Sequence, residues 1–180
     1  MKFLSLLAPL ALVSTAFAAP SPGGWNDWNN ALSQGDATDI VNKFITILSH
    51  SNVAAANATA QALIGDGFFE KSDSINILAG FPLGSTTTDG KQAYINGVLN
   101  APGLNGAETI KILVSGNNIV WYWRFTAIGS KQVPVQGFNL FEISNKKQIT
   151  GLYVEFNSIA WGIDTGYTTT DRNGNKLPLA

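Results

Sequence analysis

Cysteine is absent from this 180-residue chain, and histidine occurs once, as His50. The first absence excludes disulfides, thiol chemistry and zinc–thiolate sites, so the fold must rest on apolar burial alone. The second leaves too few imidazoles for a histidine-built metal site or a Ser-His-acid triad, and no metal is expected. Charge is scarce as well: 13% of residues are charged, the net charge is −1, and Lys146-Lys147 is the nearest thing to a basic cluster. Nucleic acid binding needs a concentrated positive surface, which this composition does not supply. No stretch reaches the about 18 apolar residues that a membrane-crossing helix requires. Neither nucleic acid nor membrane is an expected partner.

What is present begins with Met1-Lys2, the apolar run Phe3 to Val13, and Ala16-Phe17-Ala18. That order of charge, short apolar centre and small residues reads as a secretory signal peptide over 1–18, with a mature extracellular protein starting near Ala19. An N-terminal arm follows over 19–35, carrying Pro20-Ser21-Pro22-Gly23-Gly24 and then Trp25 and Trp28. One domain is expected over 36–167. A polar tail over 168–180 contains the turn signal Asn173-Gly174.

Within the domain, a helix is expected from Asp36 or Thr38, with Ile40, Phe44, Ile47 and Leu48 at helical spacing and His50 at its end. Asn52 caps a second helix, Val53 to Ile64, closed by Gly65; its Asn57-Ala58-Thr59 is a sequon, making Asn57 a candidate glycosylation site. Ser72-Asp73-Ser74 starts a short turn of helix ended by Gly80. Thr88 or Asp89 caps a third helix, Lys91 to Leu99. Four runs then alternate in the manner of strands: Thr109–Ser115, Ile119–Ile128, Val133–Ile143 and Ile149–Asn157. Gly116-Asn117-Asn118, Gly129 to Gln132 and Asn145 to Gln148 are short enough to make them one antiparallel meander. Three N-terminal helices gathered on an antiparallel sheet give an α+β fold.

Alternation also sorts the candidate site residues. Trp121, Trp123 and Phe125 share one face, and Tyr122, Arg124 and Thr126 the other. On the last run Tyr153, Glu155 and Asn157 fall together. A carboxylate facing an aromatic wall is a candidate general base or ligand acceptor, since desolvation would raise its pKa. It is equally readable as a partner of Arg124, which can bridge Glu142 or Glu155. Asp73 reads as a helix cap, or as an acid at a pocket mouth. Asn139 is polar where burial is expected, so it needs a hydrogen-bonding partner or a ligand.

The helix order, and the segments Ser72 to Gly80, Trp121-Tyr122-Trp123-Arg124, Gly137 to Glu142 and Glu155 to Trp161, resemble the nuclear transport factor 2-like superfamily, and within it secreted fungal proteins. The resemblance covers roughly Asp36 to Tyr167. It implies a cone-shaped curled antiparallel sheet around a cavity closed by helices, the NTF2-like or cystatin-like roll, and a monomer or a homodimer through the convex sheet face. Known catalytic patterns carry over poorly. Dehydratase members use pocket histidines, and only His50 is available. Epoxide-hydrolase members set Arg and Asp two apart on a strand, whereas Arg124 is followed by Thr126. Isomerase members combine a carboxylate base, a tyrosine and a protonated acid, types that Glu155, Asp73, Tyr122, Tyr153 and Tyr94 could supply.

The expected function is therefore binding of a small apolar ligand by Trp121, Trp123, Asn139, Tyr153, Glu155 and Asn157, with no cofactor. A second reading is a cofactor-independent lyase or isomerase, dehydratase- or cyclase-like, in which Glu155 or Asp73 moves a proton beside a tyrosine such as Tyr153. A third is a surface or host-interaction protein with a vestigial pocket.

Overall fold

Alternating strands in the last third of the chain and amphipathic helices before them assemble into a mixed α+β fold. The computed structural model describes residues 31–130 and 133–177. The expected leader over 1–18, Trp25 and Trp28 lie outside the described residues, as do the last three positions of the tail. In chain order the elements are α1 (Gln34–Ser49), α2 (Val53–Leu63), β1 (Ile64–Lys71), α3 (Asp73–Ala79), β2 (Thr86–Asp89), α4 (Lys91–Asn100), β3 (Asn105–Ser115), β4 (Asn118–Ala127), β5 (Val135–Ile143), β6 (Ile149–Phe156) and α5 (Ser158–Asp164).

The six strands form one curled sheet in the order β2-β1-β6-β5-β4-β3. The expected meander is its larger part. Two strands extend it beyond that expectation, and one of them alters its character: β1 pairs antiparallel with β2 but parallel with β6. The run Ile64–Lys71 contains Gly65 and Gly67, and the register shifts between Ile64 and Phe69, which breaks the alternation that marks a strand in sequence. Glycine inside a strand commonly accompanies such an irregularity.

Helix ends follow local chemistry. Ser33, rather than Asp36 or Thr38, caps α1: Asp36 N donates to Ser33 Oγ at 3.1 Å, and Ser33 N donates back to Asp36 Oδ2 at 3.1 Å. That reciprocal box satisfies two free amides at once. Asn52 caps α2 as expected, accepting from Ala55 N at 3.0 Å. Ser72 caps α3, and Gly80 ends it in the left-handed region at φ 74°. Thr88 and Asp89 are not caps; they belong to β2, and Gly90 opens α4 without a side-chain bond. His50 terminates α1, its Nε2 lying 3.0 Å from the carbonyl of Ala101. The tail folds back at its turn signal, where Thr170 pairs with Lys176.

Paired residues on neighbouring strands share a face, and the registers Trp121↔Asn139 and Asn139↔Val154 therefore place these three on the inside. Trp121, Trp123, Phe125, Phe141 and Leu152 are buried there against Phe44, Ile40 and Ile47 of α1. Phe44 meets Phe141 edge-on at 4.9 Å, and Trp123 meets Phe125 at 4.9 Å. The indole N–H groups are both satisfied, Trp121 by Thr109 Oγ1 at 2.9 Å and Trp123 by Asn139 Oδ1 at 2.7 Å. Gly137 makes room for the second ring, since a Cβ there would stand 2.6 Å from Trp123 Cζ2 and 2.5 Å from Phe156 Cβ.

Removing such a ring loses transfer energy and leaves a cavity. Trp123→Ala is expected to destabilise the fold by roughly 3–5 kcal/mol in chemical denaturation; a loss below about 1 kcal/mol, as at a surface position, would contradict its place in the core.

Candidate functional site

The curled sheet leaves space between its inner face and helices α1, α3, α4 and α5. At the bottom is a chamber of about 70 Å³ walled by Phe44, Trp121, Trp123, Asn139, Tyr94 and Glu70. Above it lies a cleft of about 480 Å³, bounded by Ile75, Leu78 and Phe81 on the α3 side and by Val98 and Leu104 on the α4 side. Glu70 and Tyr94 line both spaces, so they mark the neck between them.

Glu70 is the acid of this site. Its register partner is Leu152, which puts it on the inner face, and only 7% of its surface is exposed. No ion pair among the described residues involves it; Thr88 Oγ1 donates to its Oε2 at 2.9 Å. Burial pushes its carboxyl up from 4.5 to about 7, with the Thr88 bond pulling weakly the other way. Tyr94 sits beside it: burial, and then the Glu70 charge, hold its phenol well above the ordinary range, so the hydroxyl stays neutral. Every fully enclosed side-chain polar atom among the described residues has a partner. Glu70 Oε1, the Tyr94 hydroxyl and Asn139 Nδ2 have none there, so each retains some accessible surface, and all three residues line the cavity. An acid near neutrality with two uncharged donors in an apolar enclosure can exchange a proton with a ligand and hold the oxygen of that ligand.

The sequence-based candidates divide sharply. Trp121, Trp123 and Asn139 line the chamber. Tyr153 and Glu155 do not, because they pair with Leu140 and Phe138 on the convex face. Tyr153 packs edge-on against Phe69 at 5.5 Å, and its phenol is raised by partial burial and by nearby Glu142. Glu155 is a helix cap: its carboxylate accepts from Asp73 N at 2.8 Å and Ser74 N at 3.2 Å at the start of α3. Asn157 caps α5, accepting from Ala160 N at 3.0 Å. Asp73 is exposed and accepts from Gly84 N at 2.6 Å, holding the loop after α3. Arg124 bridges neither Glu142 nor Glu155; it meets Glu108 on the adjacent β3, with Nε 2.9 Å from Oε2. Asn57 is exposed on α2.

Alternation along β6 does not say which of its faces turns inward, and β1, interrupted by Gly65 and Gly67, does not read as a strand in the sequence. As a strand, its period of two puts Glu70 on the face of the buried Phe68.

A second groove, about 480 Å³, runs between α1, α2 and the β5–β6 turn. Four of its charges pair, Lys43 with Asp39 and Lys147 with Asp36, each at 2.6 Å, and Lys146 lines it as a third lysine. Among the described residues no group of three His, Cys, Asp or Glu side chains is placed to hold a metal ion.

The family model for the NTF2-like domain matches residues 30–168. The chain belongs to that family. Among solved structures, a SnoaL-like protein of unknown function from Burkholderia thailandensis superposes with a TM-score of 0.53 at 19% identity, covering 71% of this chain and 98% of its own. A putative SnoaL-like polyketide cyclase from Jannaschia gives 0.52 at 15% identity, covering 76% and 98%. A putative isomerase of the SnoaL-like family from Agrobacterium tumefaciens gives 0.52 at 10% identity, covering 68% and 98%. At these identities the NTF2-like likeness is one of fold. No curated protein matches the chain.

Two measurements follow. Glu155→Ala leaves the amides of Asp73 and Ser74 without their acceptor and is expected to cost about 1 kcal/mol, as cap losses do, without abolishing apolar-probe binding. For Glu70 the folded pKa is raised, so its contribution to stability is complete below the unfolded value of 4.5 and is lost as pH rises through about 7. The loss amounts to roughly 3 kcal/mol. The unfolding free energy of the wild type should fall across that window, whereas Glu70→Gln should show a flatter profile and be more stable than the wild type at pH 8. Parallel profiles for the two proteins would place Glu70 in water.

Proposed function

We propose that the cone binds a small, mainly apolar molecule and that Glu70 exchanges a proton with its polar end. The observation that carries this reading is a buried carboxylate on the wall of an apolar cavity, with one oxygen held by Thr88 and no cationic partner among the described residues. Such an arrangement is costly for stability, and it is the kind of perturbed acid that marks functional sites. The chemistry best suited to it is cofactor-independent. Glu70 as carboxylate takes a proton from a carbon next to a carbonyl, the electron pair moves onto the carbonyl oxygen, and a neutral Tyr94 or Asn139 donor stabilises that oxygen before the proton returns elsewhere on the molecule. Isomerase- and cyclase-like reactions have this form, and the names of the Agrobacterium and Jannaschia neighbours support it. This takes the proton-moving role from Glu155 and Asp73 to Glu70 and leaves the aromatic wall of Trp121 and Trp123 as expected.

The N-terminal pattern supports export, and exposed Asn57 would then be an acceptor for N-linked sugar. On the convex face Phe138 and Leu113 are 51% and 52% exposed, which favours that face for a homodimer.

A thermal-shift series with terpenoids, polyketides and long-chain ketones tests binding, since a ligand that prefers the native state raises the melting temperature. Deuterium exchange at the carbons flanking the carbonyl of undecan-2-one tests chemistry. Glu70→Gln should keep the thermal shift and cut protein-accelerated exchange by roughly 10²–10⁴-fold. Exchange at the buffer rate with the wild type would leave a binding protein; no shift with any apolar class would remove the site.

A further inference from the structure

The cleft does not end at the cone. A groove of about 680 Å³ adjoins it, lined by Pro102, Ile128, Ser130 and Thr165 together with Ala101, Leu104 and Trp161, which also line the cleft. Leu104 and Trp161 border the chamber, the cleft and the groove alike. Trp161 is anchored in that position by α5, with its ring 4.5 Å from Phe156. It forms a shoulder around which the three spaces are arranged in sequence: chamber, cleft, groove.

The dimensions and chemistry of these spaces differ in a way that selects a ligand shape. The chamber of about 70 Å³ is lined by Asn139 and Glu70, and a single water needs roughly 10–15 Å³ of such space. Only a small head group fits there, not a fused ring system. The cleft beyond is walled mostly by hydrocarbon, and past the shoulder the groove presents Pro102, Leu104, Ile128 and Trp161 alongside Ser130, Asp164 and Thr165. A rigid polycycle filling the cleft cannot turn around Trp161, whereas a flexible chain can. Charge narrows the head further. Among the described residues no Lys or Arg lines any of the three spaces, and the charged side chains that do, Glu70 and Asp164, are acids. An anionic head would be buried without a counter-charge, which is strongly unfavourable.

Resting on the pocket reading above, we infer that the ligand is a single-chain amphiphile with a small neutral head, an alcohol, aldehyde, ketone or amide. The head sits in the chamber against Glu70 and Asn139, the chain fills the cleft, and its far end bends past Trp161 into the side groove. Chain length is thus read by the groove, and head chemistry by the neck.

The test uses the full chain, with Nile red as the bound probe and octan-1-ol, hexadecan-1-ol, hexadecanoic acid and cholesterol as competitors. Each methylene taken from water tightens binding by up to roughly fourfold, so hexadecan-1-ol should displace the probe at least about tenfold better than octan-1-ol. Hexadecanoic acid at pH 8 and cholesterol should both be weaker than hexadecan-1-ol. Thr165→Trp fills the groove and touches neither chamber nor cleft; it should erase most of the advantage of hexadecan-1-ol and leave octan-1-ol unchanged. Pro102→Trp, on another part of the groove wall, makes the same test if Thr165→Trp does not fold. Equal displacement by the two alcohols, tighter binding of cholesterol or of the acid, or an equal effect of the groove variants on both alcohols would overturn the inference while leaving the pocket in place. If Nile red does not bind, or no competitor displaces it, the pocket reading fails and this inference fails with it.

Discussion

The interior is organised around the contact between the Trp123 ring and the bare backbone of Gly137. Any side chain at 137 would collide with that ring, with Phe156 and with the carbonyl of Glu155, so one position on β5 is left empty for a residue on β4 to occupy. The indole then reaches Asn139 on the same strand, and its N–H takes the Asn139 carbonyl oxygen. Buried polar groups are normally paired, and this bond uses the Asn139 oxygen on a residue that lines the chamber. A packing constraint and a hydrogen-bonding constraint thereby fix the floor of the NTF2-like cavity together.

Against that rigid floor, Glu70 stands out as a local conflict. Replacing it with a hydrocarbon side chain would suit an apolar cone better, and the upward shift of its carboxyl is the thermodynamic measure of the mismatch. Places where a chain departs from the arrangement that would stabilise it most are where function is to be sought. Tyr94 shares the strain, since a phenol with its hydroxyl turned to an apolar cavity does less for stability than a phenylalanine would. The polar atoms of the neck are the part of the interior that the proposed ligand would account for.

How much of this was legible in the sequence follows from which signals are local. The meander from Asn105 to Phe156 was readable because each strand alternates and each connection is short. The cap at Asn52 was readable because Asn binds amides within three residues, whereas the cap expected at Asp73 falls one residue earlier, on Ser72. What could not be read were features that depend on partners far along the chain. Strand β1 is paired with β6, interrupted by glycines, and betrays itself only once that pairing is known. Glu155 looked like a pocket acid because its true partners, the amides of Asp73 and Ser74, lie about 80 residues away in sequence. Trp121 and Trp123 show their shared face by alternation alone, whereas Glu70 shows its face only once β1 is paired with β6.

The long reach of Glu155 also sets an order of events during synthesis. Helix α3, one lip of the cleft, is held at its start by Glu155 and at its end by the Tyr167 hydroxyl on the Leu78 carbonyl, 89 residues apart. Strand β1, which carries Glu70, is seated against β6. A nascent chain that has already released α1 to α4 therefore has an acid and a tyrosine but no enclosure around them. The cavity comes into being only when the last strand and α5 arrive, so a ribosome-bound intermediate exposes the apolar wall until the final tenth or so of the domain has emerged, a window typical of folds rich in non-local contacts.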